Sequence, residues 1–403
     1  MGACTWAGLV LSTAWGGELH LEFVMSRRYS LLLRLTRYLL MSLGALVLLM
    51  IAAFLWWIVL PQLSSIPRGP YLQSVTPDSI WIVWDTRRPG MGRVEFGTTP
   101  SLGNVVEEDR PSTHHVLQLT GLQPYSMYYY QVDGGRKARF RTAAGVEQDS
   151  FRFVVFGDTR ENPFVHRAII NRIRDTNPDF VLHTGDLVES GPCNACWDEF
   201  FRIEAPLLRT TPFYPTLGNH EDDQSPIGGT HYFDIFHLPG NERWYAFDYG
   251  NARFISLKAD GYPLNLYYPQ QEQLDWLETQ LAENDKTWTF VFFHWGVYTA
   301  RGEDFLETGM RSRLVPLFER YGVRAVFMGH NHGYERVLAN DITYITTAGG
   351  GAGLYELRQA EPGSQMEARA YHFVLLEMNG EDLTGQVIDR RGKVIDRFDL
   401  QVR

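Results

Sequence analysis

Five short segments of this sequence end an apolar run in side chains able to hold a metal ion. They are Gly157-Asp158-Thr159-Arg160, Gly185-Asp186-Leu187, Gly218-Asn219-His220-Glu221, Phe293-His294-Trp295 and Gly329-His330-Asn331-His332. Carboxylate, imidazole and amide-oxygen donors suit borderline or hard cations such as Mn, Fe and Zn. A lone Asp or His at a strand end is ordinarily a hydrogen-bonded structural residue. Five such segments in order, four of them with a glycine at or just before the polar residue, point instead at one shared site that the backbone must approach closely. The inventory fits two divalent ions, with Asp186 able to bridge them about 3.5 to 4 Å apart. With Asp158 and Asp186 ionised and neutral His and Asn as the other ligands, the cluster carries about +2, which attracts a phosphate ester. The ions would lower the pKa of a shared water towards about 7, making hydroxide available for in-line displacement with no protein nucleophile.

The elements that must position these residues are legible in the hydrophobic pattern. After Gln148, apolar runs such as FRFVVFG, DFVLHTG, PFYPTLGN, ARFISLKAD, TWTFVFFH and RAVFMGH alternate with helical stretches. Helices are expected near Val165 to Arg174, Trp197 to Leu208, Gln270 to Leu281 and Arg311 to Tyr321. This is α/β layering, in which ligands gather beyond the carboxyl ends of the strands. HFVLLEMNG and LTGQVIDRRGKVIDRF read as closing hairpins, with a turn at Arg391-Gly392. Between Pro70 and Thr142 short alternating runs separated by turn residues read instead as an all-β sandwich. His183 reads as a hydrogen-bonded strand residue, His114 and His115 as surface residues, and the loop Asp222 to Tyr232 as either a border of the cleft or a plain surface loop.

The five segments, in this order, resemble the calcineurin-like metallophosphoesterases, and among them the purple acid phosphatases, which place a fibronectin-like domain before the catalytic one. The resemblance spans about residues 68 to 400 and extends to Gly333-Tyr334-Glu335-Arg336. It implies a four-layer α/β sandwich of sheets flanked by helices over residues 150–403, preceded by a fibronectin type III-like domain over 68–145. It also implies that Asp158, Asp186 and His332 hold one metal while Asp186, Asn219, His294 and His330 hold the other. His220 would contact substrate and assist the leaving group as acid. The cofactor expected is a pair of Fe, Mn or Zn ions. Three departures stand out. The third residue of the first segment is Arg160 where calcineurin-like enzymes commonly have His, and Glu189 stands where purple acid phosphatases have the ligating Tyr. Glu189 or water could fill that coordination position, or the first site could be weakly occupied; without tyrosinate there is no purple charge-transfer band. Arg160 is open to two readings, a clamp on a phosphate oxygen or a salt bridge. Gly296 to Gly309 lacks the extra substrate-facing histidine.

Leu39 to Leu60 is free of charge, and its 22 residues span a hydrocarbon core of about 30 Å, which predicts a transmembrane helix after a 1–38 segment and before a 61–67 linker. The run is longer than a signal peptide's, and the bulky Trp56-Trp57-Ile58 replaces a small-residue cleavage site. Arg27, Arg28, Arg34 and Arg37 precede it and only Arg68 closely follows, so the positive-inside rule puts the N-terminus in the cytoplasm and the rest outside. Residues 1–24 lack periodicity, and Met25 reads as a natural start. The net charge of −10 and the absence of basic runs with interleaved aromatics argue against nucleic acid as a partner. Cys193-Asn194-Ala195-Cys196 reads as a small-loop disulfide, with Cys4 across the membrane. The function expected is a single-pass, membrane-anchored hydrolase of phosphate mono- or diesters; the reading from another class is a non-catalytic adhesion or receptor ectodomain on a degenerate phosphatase fold.

Overall fold

The structure, a computed structural model, describes residues 27–54, 67–221, 229–258, 271–299, 305–356 and 361–402. Cys4, the far end of the apolar span, residues 61–66 of the linker, residues 222–228 of the loop after the third segment and 300–304 lie outside the described residues. The chain divides into two compact units, Met1–Ser64 and Ser65–Arg403. In the first, helix α1 (Arg27–Phe54) contains a stretch of 21 residues, Arg34–Phe54, with an 18-residue window of mean hydropathy 2.0. At about 1.5 Å per residue it is long and apolar enough to cross a membrane.

The second unit opens with seven strands: β1 (Arg68–Gln73), β2 (Ile80–Gly90), β3 (Arg93–Gly97), β4 (Asn104–Glu107), β5 (Ser112–Leu119), β6 (Met127–Val132) and β7 (Ala138–Arg141). They pair antiparallel in two sheets, β1-β2-β5 and β4-β3-β6-β7. Alternation decides what faces in: Tyr128, Tyr130 and Val132 of β6 are buried while their neighbours are half-buried. His115 corrects the sequence reading. It is buried, stacked at 4.8 Å on Trp84, and its ring nitrogens meet Glu108 and Thr86 at 2.8 and 2.9 Å. A polar side chain of this kind is admitted to a core because both ring nitrogens find partners. Tyr71, Tyr130 and Tyr214 hydroxyls donate to the carbonyls of Ile235, Arg209 and Val75 and tie these two sheets to the C-terminal part of the unit.

The remaining elements are β8 (Ser150–Phe156), α2 (Pro163–Thr176), β9 (Phe180–His183), α3 (Asn194–Leu208), β10 (Phe213–Pro215), α4 (Thr230–Ile235), β11 (Tyr245–Tyr249), β12 (Ala252–Ser256), α5 (Gln271–Ala282), β13 (Trp288–Phe293), α6 (Phe305–Arg320), β14 (Ala325–Met328), β15 (Tyr334–Ala339), β16 (Ile342–Thr347), β17 (Ser364–Ala368), β18 (His372–Asn379), β19 (Asp382–Asp389) and β20 (Val394–Gln401). They form a six-stranded sheet, β10-β9-β8-β18-β19-β20, and a seven-stranded sheet, β11-β12-β13-β14-β16-β15-β17. Strands β13 and β14 of the seven-stranded sheet are buried on both faces, and side-chain alternation sorts their residues. Phe290, Phe292 and Phe327 join the core shared with the six-stranded sheet, while Val291, Phe293, Val326 and Met328 join a second core with Leu277 and Leu281 of α5 and Leu314 and Phe318 of α6. Helix α2 covers the other sheet through Val165, Ile169, Ile170 and Ile173, spaced on one face. Its start is fixed by Asn162, whose side-chain oxygen accepts from the N–H groups of Phe164 and Val165, with Pro163 at the first helical position.

Strand register brings the five segments level. Phe156 of β8 lies beside His183 of β9, and His183 beside Pro215 of β10. In the other sheet Phe293 of β13 lies beside Met328 of β14. Each segment therefore leaves its strand at the carboxyl end, at the same edge as its neighbour. Between the sheets Phe153 stacks on Phe180 at 5.3 Å and meets Phe254 edge-on at 5.1 Å. Phe153→Ala removes that wedge; a loss of about 3–5 kcal/mol is expected as a fall in the denaturant midpoint, and a change under about 1 kcal/mol would show that the sheets do not depend on it.

Candidate metal centre

The first two segments are stitched by backbone. Asp158 N–H donates to the Gly185 carbonyl and Thr159 N–H to that of Asp186, both at 3.0 Å. Asp158, Asp186 and His330 adopt left-handed backbone angles, φ 57°, 55° and 65°, uncommon for non-glycine residues and found mostly where surroundings compel them. The compulsion here is crowding around a common point. A Cβ on Gly329 would sit 2.8 Å from Asp158 Oδ2 and 3.0 Å from His294 Nδ1, and one on Gly218 would collide with the amide and carboxylate of Asp186.

Asp158, Asp186 and His332 offer donor atoms that all lie within 4.8 Å of one another, and all three are buried. His332 Nε2 is 3.4 Å from Asp158 Oδ1, and His294 Nε2 is 3.3 Å from Asp186 Oδ1. Asn219 Oδ1 lies 3.1 Å from His294 Nε2 and 3.0 Å from His330 Nδ1, so one amide oxygen meets two imidazoles. His294 and His332 each turn Nδ1 to a backbone carbonyl, of Thr184 and Gly353, at 2.8 Å. A carbonyl only accepts, so Nδ1 carries the hydrogen; in the neutral ring Nε2 then keeps its lone pair for the site. Trp295 stacks on His330 at 3.9 Å and Tyr355 on His332 at 4.1 Å, which fixes the ring planes. Buried carboxylates with neutral imidazoles and an amide oxygen are the donor set of a divalent ion, and the residues present fit one.

His220 stands at the rim. Its Nδ1 donates to the Glu189 carbonyl at 2.7 Å, its N–H donates to Asp186 Oδ1 at 3.0 Å, and its Nε2 is 3.9 Å from Asp186 Oδ2. Arg160 reaches in beside it: Nε is 3.2 Å from Asp186 Oδ2, Nη1 is 3.1 Å from Glu189 Oε2 and 2.6 Å from Glu161 Oε1, and Nη2 is 3.4 Å from His332 Nε2. Glu189, half-exposed, turns its carboxylate to that guanidinium and is not part of the three-residue cluster. Cys193 and Cys196 form a disulfide at the first turn of α3. His183 is buried in β9, with its Nε2 3.1 Å from the Thr159 hydroxyl.

Burial pushes the Asp186 carboxyl upward, but His294, His220 and Arg160 outweigh it and hold Asp186 below the usual carboxylate range. For His332, burial opposes the charged ring while its hydrogen bond with Asp158 raises its pKa above the ordinary value. Glu221, a residue whose role the sequence did not declare, holds the loops together. Its Oε2 accepts from the N–H groups of Asp186 and Gly218 at 2.9 and 2.8 Å, and its Oε1 from Leu187 and Val188 at 2.8 and 3.2 Å. Burial and the charge of Asp186 raise its pKa, against the pull of those donors. Its place at the end of Gly-Asn-His-Glu was the available signal; nothing in the sequence marked Tyr355 or the Thr184 and Gly353 carbonyls. In Glu221→Gln an amide NH₂ faces donors, leaving buried N–H groups unpaired. A loss of about 1–3 kcal/mol in thermal or denaturant unfolding is expected, and an unchanged midpoint would deny Glu221 this role.

The sequence pattern of the calcineurin-like phosphoesterase family matches residues 151–334, which contain all five segments. The chain is similar to acid phosphatase type 7 of Mus musculus, 28% identical over 391 residues covering 79% of this chain and 87% of that protein. It is similar to purple acid phosphatase 21 of Arabidopsis thaliana, 29% identical over 237 residues covering 55% of this chain and 53% of that one. In fold it is similar to the purple acid phosphatase PPD1 of yellow lupin (Lupinus luteus) seeds, with TM-score 0.72, 22% identity and coverage of 82% of this chain and 74% of that one. The chain thus carries a calcineurin-like phosphoesterase domain with purple acid phosphatases among its relatives, and is a metal-dependent phosphoester hydrolase.

Proposed function

We propose that the protein is a membrane-anchored phosphoesterase acting outside the cytoplasm on phosphate mono- or diesters. The observation that carries the reading is the meeting of donor atoms from loops of both sheets: Asp158, Asp186 and His332 in one cluster, with Asn219 Oδ1 between His294 and His330. Asp158, Asp186 and His332 would hold one divalent ion, and Asp186, Asn219, His294 and His330 a second, with Fe, Mn or Zn as the candidate metals. Bound ions would supply Lewis acidity and an activated water.

The chain's own groups account for the rest. The Glu189 carbonyl holds His220 Nδ1–H, so a protonated His220 presents its second hydrogen at Nε2, where a departing alkoxide can take it. The Arg160 guanidinium, buried against Asp186, offers N–H groups to a phosphoryl oxygen; its fork geometry suits two oxygens at once. The strained, glycine-crowded loops keep these groups from relaxing, so their geometry is set before substrate arrives. The seven N-terminal strands, in two antiparallel sheets, are assigned to a fibronectin type III-like domain over residues 68–145.

The anchor is assigned to the charge-free span that begins at Leu39, with Arg34 and Arg37 and the preceding arginines on its cytoplasmic side. A C-terminal epitope on intact cells should be cleaved by protease added outside; protection until the membrane is breached would reverse the orientation. For the chemistry, full-length protein in detergent, loaded with Mn²⁺, is expected to bind about two ions and hydrolyse p-nitrophenyl phosphate. Asn219→Ala and His294→Ala should each cut kcat/KM by roughly 100-fold or more, since even outer partners of a metal site cost about 10- to 100-fold. A metal-replete protein inert toward mono- and diesters would end this reading.

A further inference from the structure

Beside the metal centre lies a cavity of about 340 Å³ that none of the proposed catalytic steps uses. Its walls come from the loop after β9, the entry to α2 and one side of α3. Two of its residues belong to both places. Arg160 lines it and touches Asp186 at 3.2 Å, and Glu189 lines it while its carbonyl holds His220. The cavity therefore begins where the ligand set ends, on the side of the group that protonates the leaving oxygen.

Its interior is apolar: Pro163, Leu187, Val188, Phe200 and Ile203 form the walls. The Cys193–Cys196 disulfide pins the first turn of α3, the helix that carries Phe200 and Ile203. His166, the one imidazole in the lining among the described residues, is already held by buried Glu204 at 2.7 Å and offers the cavity little polarity. The mouth is acidic. Among the described residues, Glu161, Glu189 and Glu199 line it against the guanidinium of Arg160, which Glu161, Glu189 and Asp186 already surround; Arg202, outside the lining, pairs with Glu199. A volume in the range of small-molecule sites, apolar inside and negative at the rim, admits an uncharged apolar body and repels a second anionic group.

We infer that this cavity receives the alcohol part of the substrate, and that the enzyme acts on phosphate esters of apolar alcohols that bear no further anionic group. The inference rests on the phosphoesterase reading above and names the substrate class of that site. With phosphate at the metal ligands, the ester oxygen lies at His220 and the carbon chain runs past Arg160 and Glu189 between Val188 and Ile203. Desolvation of that chain, absent for a polar alcohol, is what discriminates.

The test uses full-length protein loaded with Mn²⁺ and three esters whose alkoxide leaving groups are alike in reactivity: n-hexyl phosphate, glycerol 3-phosphate and 1,6-hexanediol bisphosphate. In the wild type, kcat/KM for hexyl phosphate should exceed that for each of the other two by at least about tenfold, since one or a few buried methylenes are worth about 10- to 200-fold. Ile203→Trp, which fills the cavity, should lower kcat/KM for hexyl phosphate about tenfold through KM and change glycerol 3-phosphate less than about twofold. Glu199→Lys, at the exposed rim, should narrow the gap between hexyl phosphate and the bisphosphate. If the wild type turns over hexyl and glycerol phosphates within about twofold of each other, or Ile203→Trp affects both alike, the cavity is not the alcohol site while the phosphoesterase reading stands. If the loaded protein hydrolyses none of the three esters nor p-nitrophenyl phosphate, the phosphoesterase reading fails and takes this inference with it.

Discussion

The centre depends on keeping Asp186 ionised and pointed inward although it is buried. A buried carboxylate is costly unless it is surrounded by donors and positive charge. Here the His220 N–H and the Arg160 guanidinium supply both, and His294 Nε2 lies 3.3 Å from Oδ1. Its own backbone is held in turn by Glu221 through the Asp186 N–H and by the Thr159 N–H through its carbonyl. One residue thus joins the loops after β8, β9 and β10 to the loop after β13, and the positive φ at Asp158, Asp186 and His330 is the strain that this convergence stores.

That convergence needs two sheets whose carboxyl edges face each other. The aromatic layer of Phe153, Phe180, Phe254, Phe290 and Phe327 between them is close packed, and packing of this kind resists small shifts. A site assembled from strand ends inherits that rigidity, and within it carbonyl hydrogen bonds orient His294 and His332 while Trp295 and Tyr355 stack on His330 and His332.

The departures from the family's pattern have a common structural consequence. Arg160 and Glu189 pair with each other at 3.1 Å, so the two unusual residues compensate one another in charge. Their pairing leaves the ligand cluster of Asp158, Asp186 and His332 intact and turns the Glu189 carboxylate away from it. The same pair lines the apolar cavity, so the cavity borders the candidate metal donors through one guanidinium.

The order of the five segments, their residue types and the strand-then-helix alternation were readable from the chain, because strand ends and periodicity are local properties. Helix positions agreed to within a few residues, as α5 over Gln271–Ala282 illustrates. The α6 helix begins earlier than periodicity suggested, at Phe305 against an expected Arg311, since propensity alone does not mark a start without a cap. His115 was misplaced because burial of a histidine depends on finding Glu108 and, on the neighbouring strand β2, Thr86, which spacing does not encode. By itself the sequence determined which atoms are available for chemistry. Only the tertiary structure decided that Glu221 would bind four backbone N–H groups, that Arg160 would lie on Asp186 rather than in solvent, and that a cavity would open beside them. Apart from the local Glu221–Gly218 bond, these are contacts between segments tens of residues apart, set by packing and not by any local pattern.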